Sequence, residues 1–444
     1  MSCSDEGLGS SRIKKHCDVF LAKNFTYSDK IPIETAQATN YDNYVRPISG
    51  ISNGSPYHMN FVPQGNSFLQ MSNMYTYARV KIQKTDGSDI RLEDKVAVCN
   101  GFGLALFNNV KVQINNVEIS SASNQNNHYK SYLQYLCTYG DSNLETQLQN
   151  VIWHPDTPGY FNRFDHQSGP NKGFVNRWTD LHTQNYEFDI AVPLNIDLVR
   201  SEQHLAPNVT LTLILEQTSN QFLIHTATNV ECEVVLTDLK IYYRRIFLES
   251  SIFKTINLSQ QKYVIPKTEL KTLIGSIGVS NITQNLYSNQ LPKSLCIAMI
   301  KSTAFNGHYK QSPWNFEHFD LSKLNLKVNS RSIPAEPYTP NFEKGLVARE
   351  YQDLFLNLGL FKSNHTNAIT KKAFMNGSTL FVFDFSPDLC NANHIHLSNS
   401  GTLDLEIEFT SALTESIHVL VYSTFDQVIE LDQEIGFRPE SILI

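Results

Sequence analysis

Val110, Val112 and Ile114 alternate with polar residues into Asn115-Asn116, and Val117 and Ile119 continue the alternation on the other side. Apolar residues at every second position about a two-residue turn predict a β-hairpin. Behind it, Tyr129, Tyr132, Leu133 and Leu136 fall at helical spacing, with Gly140 placed to end the segment. The same order returns roughly 215 residues later, too long a period for a solenoid. Leu324, Leu326 and Val328 alternate into Asn329-Ser330, Ile333 follows, and Tyr351, Leu354, Phe355 and Leu358 repeat the helical stripe before Gly359. A chain with this pattern is a duplicated domain.

Later blocks keep the parallel. Val209, Leu211 and Leu213 alternate late in the first half, followed by Leu236, Leu239, Ile241 and Tyr243; Leu403, Leu405, Ile407 and Phe409 do so late in the second, followed by Ile417, Val419 and Val421. Period-two alternation buries one face of a sheet, so each half reads as an all-β sandwich of short strands. The 444 residues give each half about 200, within reach of a single β core. The boundaries expected are a polar, irregular arm over 1–45, a first sandwich over 46–248 beginning near Tyr57, a second over 249–432 entered through a linker at Ser250–Gln260, and an aperiodic tail over 433–444. Two long excursions, Trp153–Trp178 and Phe305–His318, are rich in aromatics but have no period, and are expected to carry surface or subunit contacts. They are too apolar to lie in water, which predicts that stability depends on oligomerisation and that Trp178 and Trp314 sit at subunit contacts or anchor loops.

Charged residues are only 18% of the chain, which suits a protein with much surface buried against neighbours. The net charge is −7 and Lys and Arg form no long run, so binding a phosphate backbone is not the main activity. Seven cysteines with no CxxC spacing, among them Cys99, Cys232 and Cys296, read as small apolar residues kept reduced, as in the cytosol or nucleus. The opening segment MSCSDEGLGSSRIKK has no apolar stretch of a secretory signal, and runs such as Leu295–Ile300 are strand length, so no membrane span is expected. Sequons at Asn24, Asn208, Asn257, Asn281 and Asn364 are of the kind an Asn- and Ser/Thr-rich chain produces by chance.

Candidates for chemistry have simpler readings. His394 and His396 share one face of a strand, but no carboxylate or cysteine cluster accompanies them, and they read as polar loop histidines. Asp384 and Asp388 flank Pro387 as a strand end and turn rather than as an acid–base pair. The sequence has no nucleophile elbow, P-loop or HExxH. No catalytic, cofactor-binding or metal-ligating residue is assigned, no cofactor is expected, and the chain is read as a non-enzyme. Lys14-Lys15-His16 and Tyr242-Tyr243-Arg244-Arg245 are the candidate nucleic-acid contacts. The second reads first as a strand with aromatic packing and a solvated or interfacial arginine pair.

Several blocks carry a resemblance: YKSYLQYLCTYG, Ala304–Gly307 (AFNG) with Asn315–His318 (NFEH), Phe383–Asp388 (FDFSPD), SGTLDLEIEF, and Tyr422–Asp426 (YSTFD) with Ile429-Glu430. Over about residues 55–432 the chain resembles the double jelly-roll, hexon-like major capsid proteins of Polinton (Maverick) elements and adintoviruses. The resemblance implies two tandem eight-stranded antiparallel jelly rolls with short helices in inter-strand excursions. It also implies a homotrimer forming a pseudo-hexameric capsomer, with neighbouring capsomers, penton and minor capsid proteins as partners in an icosahedral virion shell around double-stranded DNA, assembled in the host cytoplasm or nucleus. Contact with packaged DNA would run through the arm. Other readings are a carbohydrate- or receptor-binding tandem jelly roll, a cupin-like metalloenzyme, and a minor or penton-type capsid protein; the last usually has one jelly roll per chain, so the duplication argues against it.

Overall fold

The computed structural model describes residues 37–51, 56–119, 126–165, 169–201, 203–254, 256, 260–386, 399–432 and 436–440. In the first half the strands are β1 (Gln37–Val45), β2 (Tyr57–Phe61), β3 (Ser67–Lys84), β4 (Val96–Val98), β5 (Phe107–Ile114), β6 (Val117–Glu118), β7 (Glu187–Pro193), β8 (Leu211–Gln217), β9 (Ile224–Thr226) and β10 (Cys232–Leu248). In the second they are β11 (Gln260–Gly275), β12 (Asn281–Tyr287), β13 (Ser294–Lys301), β14 (Leu321–Val328), β15 (Arg331–Tyr338), β16 (Leu380–Asp384), β17 (Leu403–Phe409), β18 (Ile417–Asp432) and β19 (Gly436–Glu440). Three helices matter below: α1 (Asn127–Thr138) and α2 (Lys172–Thr183), both between β6 and β7, and α3 (Ala348–Asn357), between β15 and β16.

The first unit faces a sheet ordered β1-β10-β3-β7 with one ordered β2-β8-β5-β6; the second faces β11-β18-β13-β16 with β12-β17-β14-β15. Setting aside the short β4–β9 pair and β19, the eight strands of each unit follow the same order, first-eighth-third-sixth over second-seventh-fourth-fifth. All these pairings are antiparallel. That is two jelly rolls in one chain.

The duplication extends to single hydrogen bonds. Asn115 and Asn116 have φ of 48° and 65°, and Asn329 and Ser330 have 49° and 68°, the paired positive values of a type I′ hairpin turn. In each turn the first Asn accepts through its side-chain oxygen from a backbone amide at 2.9 Å: Thr210 in the first unit, Thr402 in the second. Gly401 is needed beside the second turn, because a Cβ there would lie 2.7 Å from the Asn329 oxygen. The alternation in β8 and β17 does what the pattern requires, with Leu211, Leu213, Leu215, Leu403, Leu405 and Ile407 all fully buried.

The structure differs from the sequence expectation at both ends. Gln37–Val45, assigned to the arm, is the first strand of the first jelly roll and pairs with β10 from Gln37↔Leu248 to Val45↔Ile241. Its residues are almost all exposed, so backbone bonding rather than burial holds it, and no apolar alternation marks it. Gly436–Glu440, assigned to the aperiodic tail, pairs with the end of β18. Gly140 does not cap α1, which ends at Thr138; it lets the chain pass Thr366, whose carbonyl oxygen would lie 2.3 Å from a Cβ at that position. Gly359, with φ of 69°, does follow α3 in the left-handed conformation.

Candidate functional site

The two jelly rolls meet around α1. His128 through Leu133, Tyr135 and Leu136 are all buried: Tyr129 and Tyr132 of the apolar stripe meet aromatic side chains of the second unit, and Ser131 accepts from Asn195 of the first. Tyr132 lies between two indoles, stacked on Trp314 at 3.9 Å and 2° and on Trp153 at 4.9 Å and 25°. Tyr129 stacks on Phe305 at 5.1 Å and meets Trp314 edge-on; Phe305 in turn stacks on His418 of β18 at 4.1 Å. Phe222 closes the cluster with a T-shaped contact to Trp314. Such pairs add about 0.5–1.5 kcal/mol each beyond burial. Gly307, at φ of 91°, turns the Phe305–Trp314 segment against the Phe222 backbone, which leaves 3.0 Å for a Cβ.

Polar ties flank the aromatic cluster. Lys130 donates from Nζ to the Thr268 carbonyl on β11 at 3.1 Å, and Thr268 donates from its amide and hydroxyl to Asp197 at 2.9 and 2.6 Å. Burial pulls the Lys130 pKa below the usual lysine value, and Asp197 opposes that shift. The Val264 amide donates to Gln203 at 3.1 Å, and the Tyr263 hydroxyl accepts from the Ala206 amide at 3.2 Å. First-unit side chains therefore occupy the outer edge of β11, which would otherwise present open amides. On the other flank the Thr226 amide donates to the Tyr309 carbonyl, and Ser312 to Asn162.

Within one chain this joint buries aromatic side chains of both excursions, which the sequence placed at subunit contacts or loop anchors. Trp153 is 3% exposed and Trp314 fully buried, within one chain. Trp314 is a loop anchor. Trp178 is half-buried and stacks on His182 at 5.0 Å. Trp153, Phe305 and Trp314 pack where one unit meets the other, while Phe164 and Phe174 of the longer segment pack on each other and Tyr160 stays exposed.

A buried ion pair organises the longer excursion. Arg177, fully buried on α2, donates to Asp156 at 2.7 Å, to the Val98 carbonyl at 2.8 Å and to the His154 carbonyl. Asn171 donates to the same Asp156 oxygen at 2.8 Å and accepts from the Phe174 amide, capping α2. Gly173 sits where a Cβ would be 2.3 Å from the Pro155 carbonyl oxygen. The excursion has no strand period, yet Asn171 as a cap followed by Phe174, Arg177 or Trp178, and Leu181 at helical spacing is a legible signal for α2.

Between residues 159–163 of the first unit and 315, 317–320, 375–377 and 411–415 of the second lies a cleft of about 520 Å³. Glu317 accepts from Asn315 at 2.6 Å within it, burial raises its pKa, and Lys301 at 3.9 Å opposes the rise. Lys301 is itself paired with Glu415 at 2.7 Å. The arrangement is a satisfied polar network, not a nucleophile poised by a base.

The sequence candidates fall as follows. Tyr243 is core, and Arg245 is 2% exposed, bonded to Ser67 and the Val62 carbonyl rather than solvated. Arg244 pairs with Asp42 at 2.8 Å, and Tyr242 stacks on Tyr75 at 5.1 Å. Asp384 accepts from the Ser386 amide and hydroxyl in an Asx turn. Cys99, Cys232 and Cys296 are buried free thiols. Lys14, Lys15, His16, Asp388, His394 and His396 lie outside the described residues. Among the described residues no group of three or more His, Cys, Asp or Glu converges as a metal site, and no helix is long and apolar enough to cross a membrane.

No family model matches the sequence. An uncharacterized protein of Caenorhabditis elegans is 21% identical over 384 residues, 82% of this chain and 88% of that protein. Among solved structures, a chain of the Sputnik virophage covers 100% of this chain and 94% of its own length at a TM-score of 0.64 and 9% identity. The mavirus major capsid protein covers 100% and 97% at a TM-score of 0.57 and 12% identity, and the Faustovirus major capsid protein 94% and 97% at 0.56 and 8%. At these identities the likeness is one of fold: a double jelly roll along the whole chain.

Proposed function

We propose that this chain is the major capsid protein of an icosahedral shell: a structural subunit, not an enzyme. The observation that carries the reading is the coincidence of two jelly rolls of one topology with a dry aromatic joint that fixes them as one block, on a fold matched end to end by viral capsid proteins. A lectin-like module has no need of a second, rigidly joined copy of itself; a shell tile does. Three such chains arranged cyclically present six similar wedges, and cyclic symmetry closes the block without growth into a filament. The finer reading is a homotrimeric, pseudo-hexameric capsomer of the Polinton and adintovirus kind, laid beside penton and minor capsid proteins around double-stranded DNA in a virion.

The test is expression of the full chain, alone and with candidate penton and minor proteins encoded beside it, followed by electron microscopy and nuclease treatment. Hexagonal capsomers, and closed shells protecting DNA in co-expression, are the expected result. A monodisperse monomer that binds a glycan array specifically and never assembles would overturn the reading.

A further inference from the structure

A pair of thiols bridges the two jelly rolls. Cys137 stands one residue from the end of α1 in the first unit and is half-buried; Cys296 lies on β13 of the second and is buried; both are free. The strand register aims them at each other. Cys296 lies opposite Tyr422 in the pairing of β13 with β18, and opposed residues of an antiparallel pair share one face of the sheet. Tyr422 in turn lies beside Arg200, Asp197 and Cys137, all of the first unit, so this face of β13 looks toward α1. The Cys137 and Cys296 thiols are in side-chain contact, and that contact, together with burial, holds the Cys296 thiol well above its usual pKa. The other described cysteines are placed elsewhere: Cys99 lies by Arg177 and Asp156, and Cys232 by Asp94 and Lys84.

A covalent bond at this point ties α1 to the sheet beside it, across the same joint that Tyr132 and Trp314 close by stacking. We propose that Cys137 and Cys296 form a redox modification site, whose disulfide staples the first jelly roll to the second. The staple is a property of the joint and holds whether or not the chain builds a shell.

The oxidant is a low-molecular-weight disulfide such as glutathione disulfide. Cys137, the half-buried member, is the one such a reagent reaches. Its thiolate attacks one glutathione sulfur, the glutathione S–S bond breaks, and one glutathione leaves as a thiolate. The same step removes the neighbouring thiol that does most to raise Cys296. The Cys296 thiolate then attacks the Cys137 sulfur, the mixed disulfide breaks, and the second glutathione leaves. The two thiol protons end on the released glutathiones, so two protein thiols are oxidised and one glutathione disulfide is reduced. In a reducing compartment the halves dock without the bond, and an oxidising medium closes it.

The test exposes the reduced, native full chain to glutathione disulfide, beside Cys137→Ser and Cys296→Ala variants whose folding is checked by near-ultraviolet circular dichroism. Wild type should yield a peptide crosslinked through Cys137 and Cys296 on non-reducing digestion, with the mass of two hydrogens lost. Its Tm should rise by about 5–10 °C, a gain that dithiothreitol abolishes, because the bond closes a loop of about 160 residues. Neither variant should gain stability on oxidation, and Cys296→Ala should stop at a glutathione adduct on Cys137. Wild type alone decides the outcome if a variant fails to fold. If wild type also stops at that adduct, if both thiols still react with iodoacetamide after denaturation, if Cys137 or Cys296 crosslinks to a different cysteine, or if the bond forms with no gain in Tm, the proposal is overturned.

Discussion

Replacing Trp314 with alanine tests the joint at its centre. The side chain is fully buried, stacked face to face on Tyr132 and touched edge-on by Tyr129 and Phe222. Truncating a buried Trp costs about 3–5 kcal/mol, and the lost ring pairs place this site at the upper end, near 5 kcal/mol. For a unit of about 200 residues that corresponds to a fall of roughly 10–20 °C in Tm. The half-buried Trp178, with one stack on His182, should lose only about 1–2 kcal/mol as Trp178→Ala. Thermal unfolding followed by near-ultraviolet circular dichroism distinguishes the two. Because Trp314 anchors one chain to itself, its loss should be the same over a hundredfold range of protein concentration, whereas a subunit contact would weaken on dilution by mass action. A loss below about 1 kcal/mol, or one that changes with concentration, would refute the assignment of Trp314 to the intrachain joint.

Acid should loosen the protein through two histidines. His128 and His225 are fully buried, and burial pushes each pKa down to about 3. The unfolded chain takes up those protons near pH 6.5 and the folded chain does not, so their contribution is complete above pH 6.5 and is lost as pH falls toward 3, by about 1.4 kcal/mol per unit per histidine. Urea midpoints at pH 7.5 and 5 should differ less in a His128→Phe, His225→Phe double variant than in wild type; equal differences contradict the mechanism. Asp156→Ala leaves Arg177 buried without its counter-charge and should cost about 3–5 kcal/mol, most of it recovered by adding Arg177→Met, as read by urea unfolding. Asn116→Val forces a branched residue to φ of 65° and should cost about 1–2 kcal/mol, while Asn116→Gly is near neutral; equal midpoints for the two would show the turn to be unstrained.

Local signals were the ones the sequence made legible. The two hairpins, the alternation of β8 and β17 and the helices α1 and α3 are each written in a short window whose period matches its geometry. Strand β1 was not, because an exposed edge strand is held by backbone bonds to β10 far along the chain and leaves no apolar period. The joint was not either. Tyr132, Trp153 and Trp314 come from three separate segments, and their aromatic richness reads equally as a surface waiting for a partner or as a seam already closed. Arg177 and Asp156 are likewise charged residues that composition places on a surface and the fold places in its interior.

The mass of the purified full chain in solution, measured by light scattering with negative-stain images of the same sample, tests the central claim most directly. A species of three times the 50.5 kDa chain mass with a hexagonal outline is the result expected of a capsid tile. A stable monomer at every concentration, with no larger species on co-expression, would contradict it.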